Sequence, residues 1–263
     1  MFSLDGQKAL VTGGAGLLGE VFASALAGAG AAVTLLDVDA ERLAAVAERL
    51  AARRIDVDTA VVDITDEASV ARVVQGAAPF DVMVNGAAID PKVSADAVGR
   101  GSALLGLTTE DFRASTEVNL VGMFTCTREA VRAMEAHGRA GVIVNVASVY
   151  GVVAPDQRLY EPPTGPAGAK PVDYPATKAG VIGLTRAAAA ACGHLGIRVN
   201  ALVPGGVRAE QPEWFVDAYG RRTMLGRMAE TDDLAGPLVF LCSDASRYMT
   251  AATLVVDGGL SQW

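Results

Sequence analysis

Short apolar runs alternate along this chain with longer segments in which apolar residues recur every three or four positions, and that alternation predicts strands and helices in turn. Lys8 to Thr12 (KALVT), Ala31 to Leu36 (AAVTLL), Thr59 to Val62, Phe80 to Val84, Gly141 to Val146 (GVIVNV), Ile197 to Val203 (IRVNALV) and Thr253 to Val256 read as strands. Helical periodicity falls between them. It runs through Val21, Phe22, Leu26 and Ala29, from Ala40 to about Arg53, and from Glu67 to Gln75. A long helix follows with Phe112, Val118, Val121, Met123 and Phe124, then one through Val181, Ile182, Leu184 and Ala191, and a last one around Asp232 to Cys242. A run as uniformly apolar and β-branched as GVIVNV suits a strand covered on both faces of a parallel sheet. Strand and helix in regular alternation predict an α/β fold, a doubly wound parallel sheet with helices on both faces and right-handed crossovers. Neither a repeat nor a second pattern interrupts it, so residues 1–263 are expected to form one domain.

The interruptions carry the chemistry. Between the first strand and the first helix stands Gly13-Gly14-Ala15-Gly16-Leu17-Leu18-Gly19. Glycines let backbone approach a pyrophosphate, and the free N–H groups and dipole of the helix start hold its charge. This order marks the phosphate-binding unit of a dinucleotide (Rossmann) fold, with Gly13, Gly16, Leu17, Leu18 and Gly19 as candidate contacts. A plain tight turn has the same glycines. Asp37 closes the second strand about 20 residues after Gly16, where a carboxylate accepts hydrogen bonds from an adenosine ribose and repels a 2′-phosphate. That favours NAD over NADP; the competing role of helix N-cap belongs more naturally to Asp39. Asp63 and Ile64, after the third strand, are candidates for the adenine, although a simple strand-end acid looks the same. Asn85-Gly86-Ala87-Ala88 after the fourth offers small residues against which a cofactor can lie, giving Asn85 and Ala87 as further candidates.

Three stretches lack period and read as substrate-side loops: about 90–106, with Pro91, Gly99 and Gly101; about 150–172, rich in Pro, Gly and polar residues; and about 205–227, with Trp214 and Tyr219. Thr108 with Asp111 resembles a capping box. Tyr174-Pro175-Ala176-Thr177-Lys178 opens an Ala-rich helix, and residues four apart share a helix face. Pro175 is tolerated in the first turn. An ammonium beside a phenol favours the phenolate and lowers a value ordinarily near ~10, which makes a general acid or base. Asn119, within an apolar helix face, needs hydrogen-bond partners. Ser148 follows the central strand at its carboxyl end, where functional residues of open α/β sheets gather.

A net charge of −8 argues against nucleic acid or an anionic membrane as partner, so an anionic cofactor must be held mainly by backbone donors. Cys126, Cys192 and Cys242 are far apart, and with His137 and His194 they suggest neither disulfides nor a metal site. With no charged flank before an apolar run at the N-terminus and no long apolar stretch, a cytoplasmic protein is expected.

Taken together, Thr12 to Gly19, Asp63, Asn85-Gly86-Ala87, Asn119, Ser148, Tyr174 with Lys178, Pro204-Gly205 and Val256-Asp257-Gly258-Gly259 resemble the short-chain dehydrogenase/reductase family in order and spacing, over nearly the whole chain. The resemblance implies hydride transfer between nicotinamide and a carbinol or carbonyl carbon of a small-molecule substrate. Tyr174 would carry the proton, Ser148 would bind the substrate oxygen, Lys178 would lower the tyrosine value and grip the nicotinamide ribose, and Asn119 would hold a water. Pro204 and Val207 join the cofactor contacts, and no metal is required. It further implies a homotetramer or homodimer, paired through the helices of Tyr174 and Asn119.

Four departures qualify it. Leu17 stands where the short members have a glycine, so Gly13, Gly16 and Gly19 keep the spacing of extended members such as nucleotide-sugar epimerases. Gly86 and Ala88 depart from N-N-A-G, and Ala209 replaces a frequent Thr. The gap from Ser148 to Tyr174 is about twice the usual one. Too little chain follows Lys178 for an extended member, and V-D-G-G is a short-type ending. The polar inserted loop (Asp156, Gln157, Arg158, Tyr160, Glu161) suggests a hydroxylated substrate such as a sugar or cyclitol, an oligomer contact or a structural flap. The leading expectation is an NAD-dependent alcohol dehydrogenase or ketoreductase. The alternatives are an NADPH-dependent 3-oxoacyl-thioester reductase, an epimerase-like enzyme and a non-catalytic dinucleotide-binding protein.

Overall fold

The structure, a computed structural model, describes residues 1–90, 102–165 and 167–262. Its strands are β1 (Lys8–Thr12), β2 (Ala32–Asp37), β3 (Val57–Val61), β4 (Val82–Asn85), β5 (Val142–Val146), β6 (Arg198–Pro204) and β7 (Thr253–Val256). The helices are α1 (Gly19–Gly28), α2 (Ala40–Ala52), α3 (Glu67–Ala77), α4 (Ser102–Leu105), α5 (Thr109–Thr116), α6 (Met123–Ala136), α7 (Asp173–Cys192), α8 (Glu213–Gly220) and α9 (Ala235–Cys242). Each expected strand is present within a few residues of its apolar run.

All seven strands pair in parallel in the order β3-β2-β1-β4-β5-β6-β7. The order reverses between β1 and β4, and a crevice opens outside the carboxyl ends of the strands at such a point. Alternate residues of each strand face opposite sides of the sheet. Ala9, Val11, Val33, Leu35, Val84 and Val144 pack with Phe22 and Leu26 of α1, Leu43 and Val46 of α2 and Leu238 of α9. On the other face Leu10, Leu36, Met83 and Ile143 pack with Val70 of α3, Ala130 and Met134 of α6 and Ala189 of α7. Both faces are thus covered, which is why the strand runs are apolar throughout.

Local signals hold where they were strongest. Asp39 caps α2 by accepting from Arg42 N at 3.0 Å. Thr108 and Asp111 form the capping box of α5, each side chain accepting from the other's backbone at 3.1 Å. The expected long helix after Thr108 is not uniform: Glu117–Gly122 forms a π-helical segment between α5 and α6, with Asn119 inside it. Residues 91–101 of the expected 90–106 loop, with Pro91, Gly99 and Gly101, lie outside the described residues, as does Pro166 of the second loop. No helix among the described residues is long and apolar enough to cross a membrane.

Candidate active site

A cavity of about 800 Å³ runs across the carboxyl ends of β1, β2, β4, β5 and β6. At one end it is floored by the glycine turn. Gly13 adopts φ +74°, and a Cβ there would come within 2.7 Å of Ala87 N, so the β1 turn and the end of β4 touch backbone to backbone. Thr12 ties the same two segments, its Oγ1 accepting from Gly86 N (3.1 Å) and Ala87 N (3.3 Å). Leu18, at the N-cap of α1, supplies no side-chain acceptor; Gly19 N, the first of the helix, donates to Gly16 O at 3.2 Å, and both glycines line the cavity. Leu17 is half-exposed at the rim, so the missing glycine costs the turn no space. Gly16, Leu18, Gly19, Asp37, Asp63, Ile64, Ala87, Pro204 and Val207 all line the cavity.

The carboxylate of Asp37 accepts from Ala15 N at 2.9 Å and from Asp39 N at 3.1 Å, which fixes it at the rim beside the glycine turn. Asp63 is exposed and turned onto Thr65, accepting from its N (2.9 Å) and Oγ1 (2.7 Å). A glycine floor, a helix start without a side-chain cap and a rim carboxylate together fit a dinucleotide: backbone donors for the pyrophosphate and Asp37 for a ribose diol. Asn85 departs from its expected place. Its side chain turns into the sheet interior, donating to Thr127 Oγ1 (3.0 Å) and Asn145 Oδ1 (2.8 Å), and Asn145 donates in turn to Thr185. It ties β4 to β5 and α6, and does not line the cavity.

The other end is built by β5 and α7. Tyr174 is the second residue of α7, so Pro175 falls within the first turn. Lys178 lies one turn on, with its Nζ 5.7 Å from the centre of the Tyr174 ring. Ser148 caps a single 3-10 turn after β5, its Oγ accepting from Tyr150 N (3.2 Å), and it lines the cavity together with Tyr174. That turn packs onto α7 through Gly151, where a Cβ would meet Lys178 O at 2.6 Å.

Burial dominates the electrostatics. It pushes the Tyr174 hydroxyl above its ordinary value, Asp90 reinforces the rise, and the Ser148 hydrogen bond opposes it. The net shift is thus upward, opposite to the lowering expected from Lys178. Burial also lowers Lys178 to about 8, opposed by Asp90 and helped by Lys170. Lys178 Nζ donates to Val146 O at 2.9 Å. Asn119 is buried against the neighbouring backbone, accepting from Ile89 N (2.8 Å) and donating to Ile89 O (2.9 Å) and Thr177 Oγ1 (3.3 Å). It positions the strand exit that carries Asp90 and does not itself line the cavity.

The lengthened segment before α7 folds back over this end. Of the roles open to its polar residues (substrate contact, oligomer contact or structural flap), Asp156 and Gln157 take the structural one and bond within the protein. Asp156 accepts from Arg158 (2.8 Å) and from Arg222 Nε (2.7 Å), and these guanidinium groups hold its carboxyl far below the usual range. Gln157 exchanges hydrogen bonds with the Lys170 backbone. Tyr160 does reach the cavity, its hydroxyl 3.1 Å from that of Tyr150, and its ring packs on Phe215 of α8 at 5.6 Å. The sequence argument missed Lys170, whose Nζ lies 4.1 Å from the centre of the Tyr174 ring and pairs with Asp90. A single lysine in a Pro/Gly-rich stretch gave no periodic signal. Residues 205–227 were expected to be a substrate-side loop; part of that stretch is α8, which brings Phe215 and Tyr219 to the wall. Among the described residues no group of His, Cys, Asp and Glu side chains is placed to hold a metal ion.

A nucleotide end and a proton-transfer end joined in one crevice define an oxidoreductase of the dinucleotide-binding α/β class. Comparison with known proteins narrows the class. Residues 14–261 match the family model described as enoyl-(acyl carrier protein) reductase, of the short-chain dehydrogenase type. The chain is 34% identical to galactitol 2-dehydrogenase of Rhizobium johnstonii, over 100% of this chain and 98% of that protein. It is 35% identical to the (2S)-[(R)-hydroxy(phenyl)methyl]succinyl-CoA dehydrogenase subunit BbsD of Thauera aromatica, over 98% of each. A gluconate 5-dehydrogenase from Burkholderia cenocepacia, solved with NADP and tartrate, superposes with a TM-score of 0.84 at 32% identity, covering 100% of this chain and 98% of that one. The chain belongs to the short-chain dehydrogenase/reductase family, and it is an NAD(P)-dependent oxidoreductase.

Proposed function

We propose that this protein is an NAD(H)-dependent dehydrogenase that interconverts a secondary alcohol and a ketone on a small hydroxylated substrate, as a single domain of residues 1–263. The observation that carries the reading is the joint placement of Ser148, Tyr174 and Lys178 in the cavity whose other end holds Asp37. The bound nicotinamide supplies or accepts hydride. The chain's own residues manage the oxygen and its proton. Ser148 Oγ and Tyr174 Oη receive the substrate oxygen, and their hydrogen bonds stabilise charge as it develops there. In oxidation the Tyr174 phenolate takes the hydroxyl proton, and in reduction the hydroxyl returns it. Lys178 supplies the positive charge that makes the phenolate accessible. Asp37, at the rim, favours a ribose diol and repels a 2′-phosphate, which supports NAD over NADP. Galactitol and gluconate in the names of two relatives support a hydroxylated substrate.

Paired fluorescence titrations with NADH and NADPH, followed by turnover of polyols, sugar acids and β-ketoacyl thioesters, test the reading. Tighter NADH binding with activity on hydroxylated substrates is the expected result. NADPH preference with thioester turnover would replace it by the acyl reductase that the named substrate of BbsD suggests. The protein is further proposed to pair with itself, as dimer or tetramer, through the outer faces of α7 and of the α5–α6 helix.

A further inference from the structure

Lys170 is a charged cavity residue that this oxidoreduction leaves without a task. The residue is 6% exposed, and its ammonium sits over the face of the Tyr174 ring. Its backbone is clamped by one side chain on both sides: Lys170 N donates to Gln157 Oε1 (2.9 Å), and Gln157 Nε2 donates to Lys170 O (3.0 Å). The lengthened segment between β5 and α7 thus delivers the ammonium on a built support.

A buried ammonium needs an anion beside it. Here that anion is Asp90, and the two partners are unequally placed: the Lys170 side chain is 7% exposed and that of Asp90 61%. A carboxylate so largely in water gains little from the pair and is readily exchanged for another. Asp90, Lys170, Ser148 and Tyr174 line the same cavity. A substrate whose carbinol oxygen meets Ser148 and Tyr174 therefore brings groups on its neighbouring carbons towards Lys170. Among the described residues the other cavity cations are committed elsewhere: Lys178 Nζ donates to Val146 O, and Arg42 donates to Ala15 O at the Asp37 end.

We propose that Lys170 anchors a carboxylate of the substrate in place of Asp90, so that the preferred substrates are hydroxy acids with a carboxylate near the reacting carbinol and not neutral polyols. The inference rests on the dehydrogenase reading above and refines its substrate class.

The test is steady-state oxidation, with NAD⁺, of matched pairs that differ only in carboxylate against hydroxymethyl: glycerate and glycerol, threonate and threitol, gluconate and glucitol. Wild-type protein should favour the acid of its best pair at least tenfold in kcat/KM, mainly through KM. Lys170→Met should lower that acid-to-polyol ratio roughly tenfold to a hundredfold, the range of a lost charge-assisted hydrogen bond, and Lys170→Arg should restore most of it. Asp90→Asn, which removes the competing carboxylate, should lower KM for the acid several-fold. NADH fluorescence reports whether each variant is folded. Should Lys170→Met fail to bind NADH, Asp90→Asn decides: an unchanged KM for the acid overturns the assignment. Wild-type turnover of polyols equal to or above that of their acids, or an unchanged ratio in Lys170→Met, overturns the role of Lys170 and leaves the dehydrogenase reading standing. Turnover of neither class overturns both.

Discussion

Burial acts against both groups of the proton-transfer end: it raises the Tyr174 hydroxyl and lowers Lys178 to about 8. Alcohol oxidation needs the Tyr174 phenolate, and carbonyl reduction needs its hydroxyl. The kcat/KM for oxidation should therefore rise with pH and that for reduction should fall, which parallel pH profiles will show. Stability obeys the same sign. Between about 8 and the ordinary 10.5 the unfolded chain holds a proton that the folded one has released, so folding stability rises with pH across that window. Tyr174→Phe removes the proton carrier while leaving the ring, and should lower turnover by ~10² to 10⁴ with NADH binding retained. Asp37→Ala acts at the other end. It removes both the ribose acceptor and the tie to Ala15 N, so NADH affinity should fall about tenfold or more while the preference against NADPH shrinks, as paired titrations will show.

At the scale of elements, the catalytic geometry depends on how closely the turn after β5 lies on α7. Gly151 permits that approach, since a Cβ would stand 2.6 Å from Lys178 O and 2.7 Å from Lys178 C, both backbone atoms that cannot swing aside. Gly151→Ala should push the turn outward, cost about 1–3 kcal/mol of stability and separate Ser148 from Tyr174. In thermal melts and kinetics the expected outcome is a lower midpoint with a kcat loss larger than the change in NADH affinity. These elements were unequally legible in the sequence. Strands such as GVIVNV and caps such as Asp39 and Thr108 speak through local pattern, so they were read almost to the residue. Ser148, Tyr174, Lys178 and Asp37 could be singled out because strand ends, helix spacing and the family resemblance pointed to the same positions, and the fold brings them to one cavity. The π segment around Asn119 was not, because one added residue in a helical turn leaves the apolar period nearly intact. Nor were the tasks of Asp156 and Gln157. A polar side chain in a loop reads alike whether it meets a substrate or a backbone, and only the fold brings Arg222 and Lys170 to them.

At the scale of the molecule, α7 is the element through which site and surface are joined. Its inner face carries Lys178, Val181, Ile182 and Thr185 into the core. Its outer face presents Ala176, Ala179, Gly183, Ala187 and Ala190, all exposed. A Cβ at Gly183 would meet nothing within 4 Å, so this face is open and nearly flat. Beside it, the α5–α6 helix exposes Phe112, Val121 and Phe124, each about two-fifths accessible. Small residues let a second helix approach closely, and exposed aromatic side chains are then buried by the same contact. A carboxylate at the centre of the face would be desolvated on pairing, at a cost that the neighbouring exposed Arg186 offsets only in part. On the proposed pairing, Ala187→Glu should therefore give a smaller species in size-exclusion chromatography with light scattering, with a lower melting midpoint that loses its dependence on protein concentration once dissociation is complete. A wild-type chain that elutes as a monomer would refute the pairing. Because Tyr174 lies on the same helix, loss of the partner should loosen the first turn of α7, so the dissociated variant is expected to lose kcat in step with its oligomeric mass. Activity that survives complete dissociation would show instead that the packing of α7 on β5 and β6 is enough to hold Tyr174 in place.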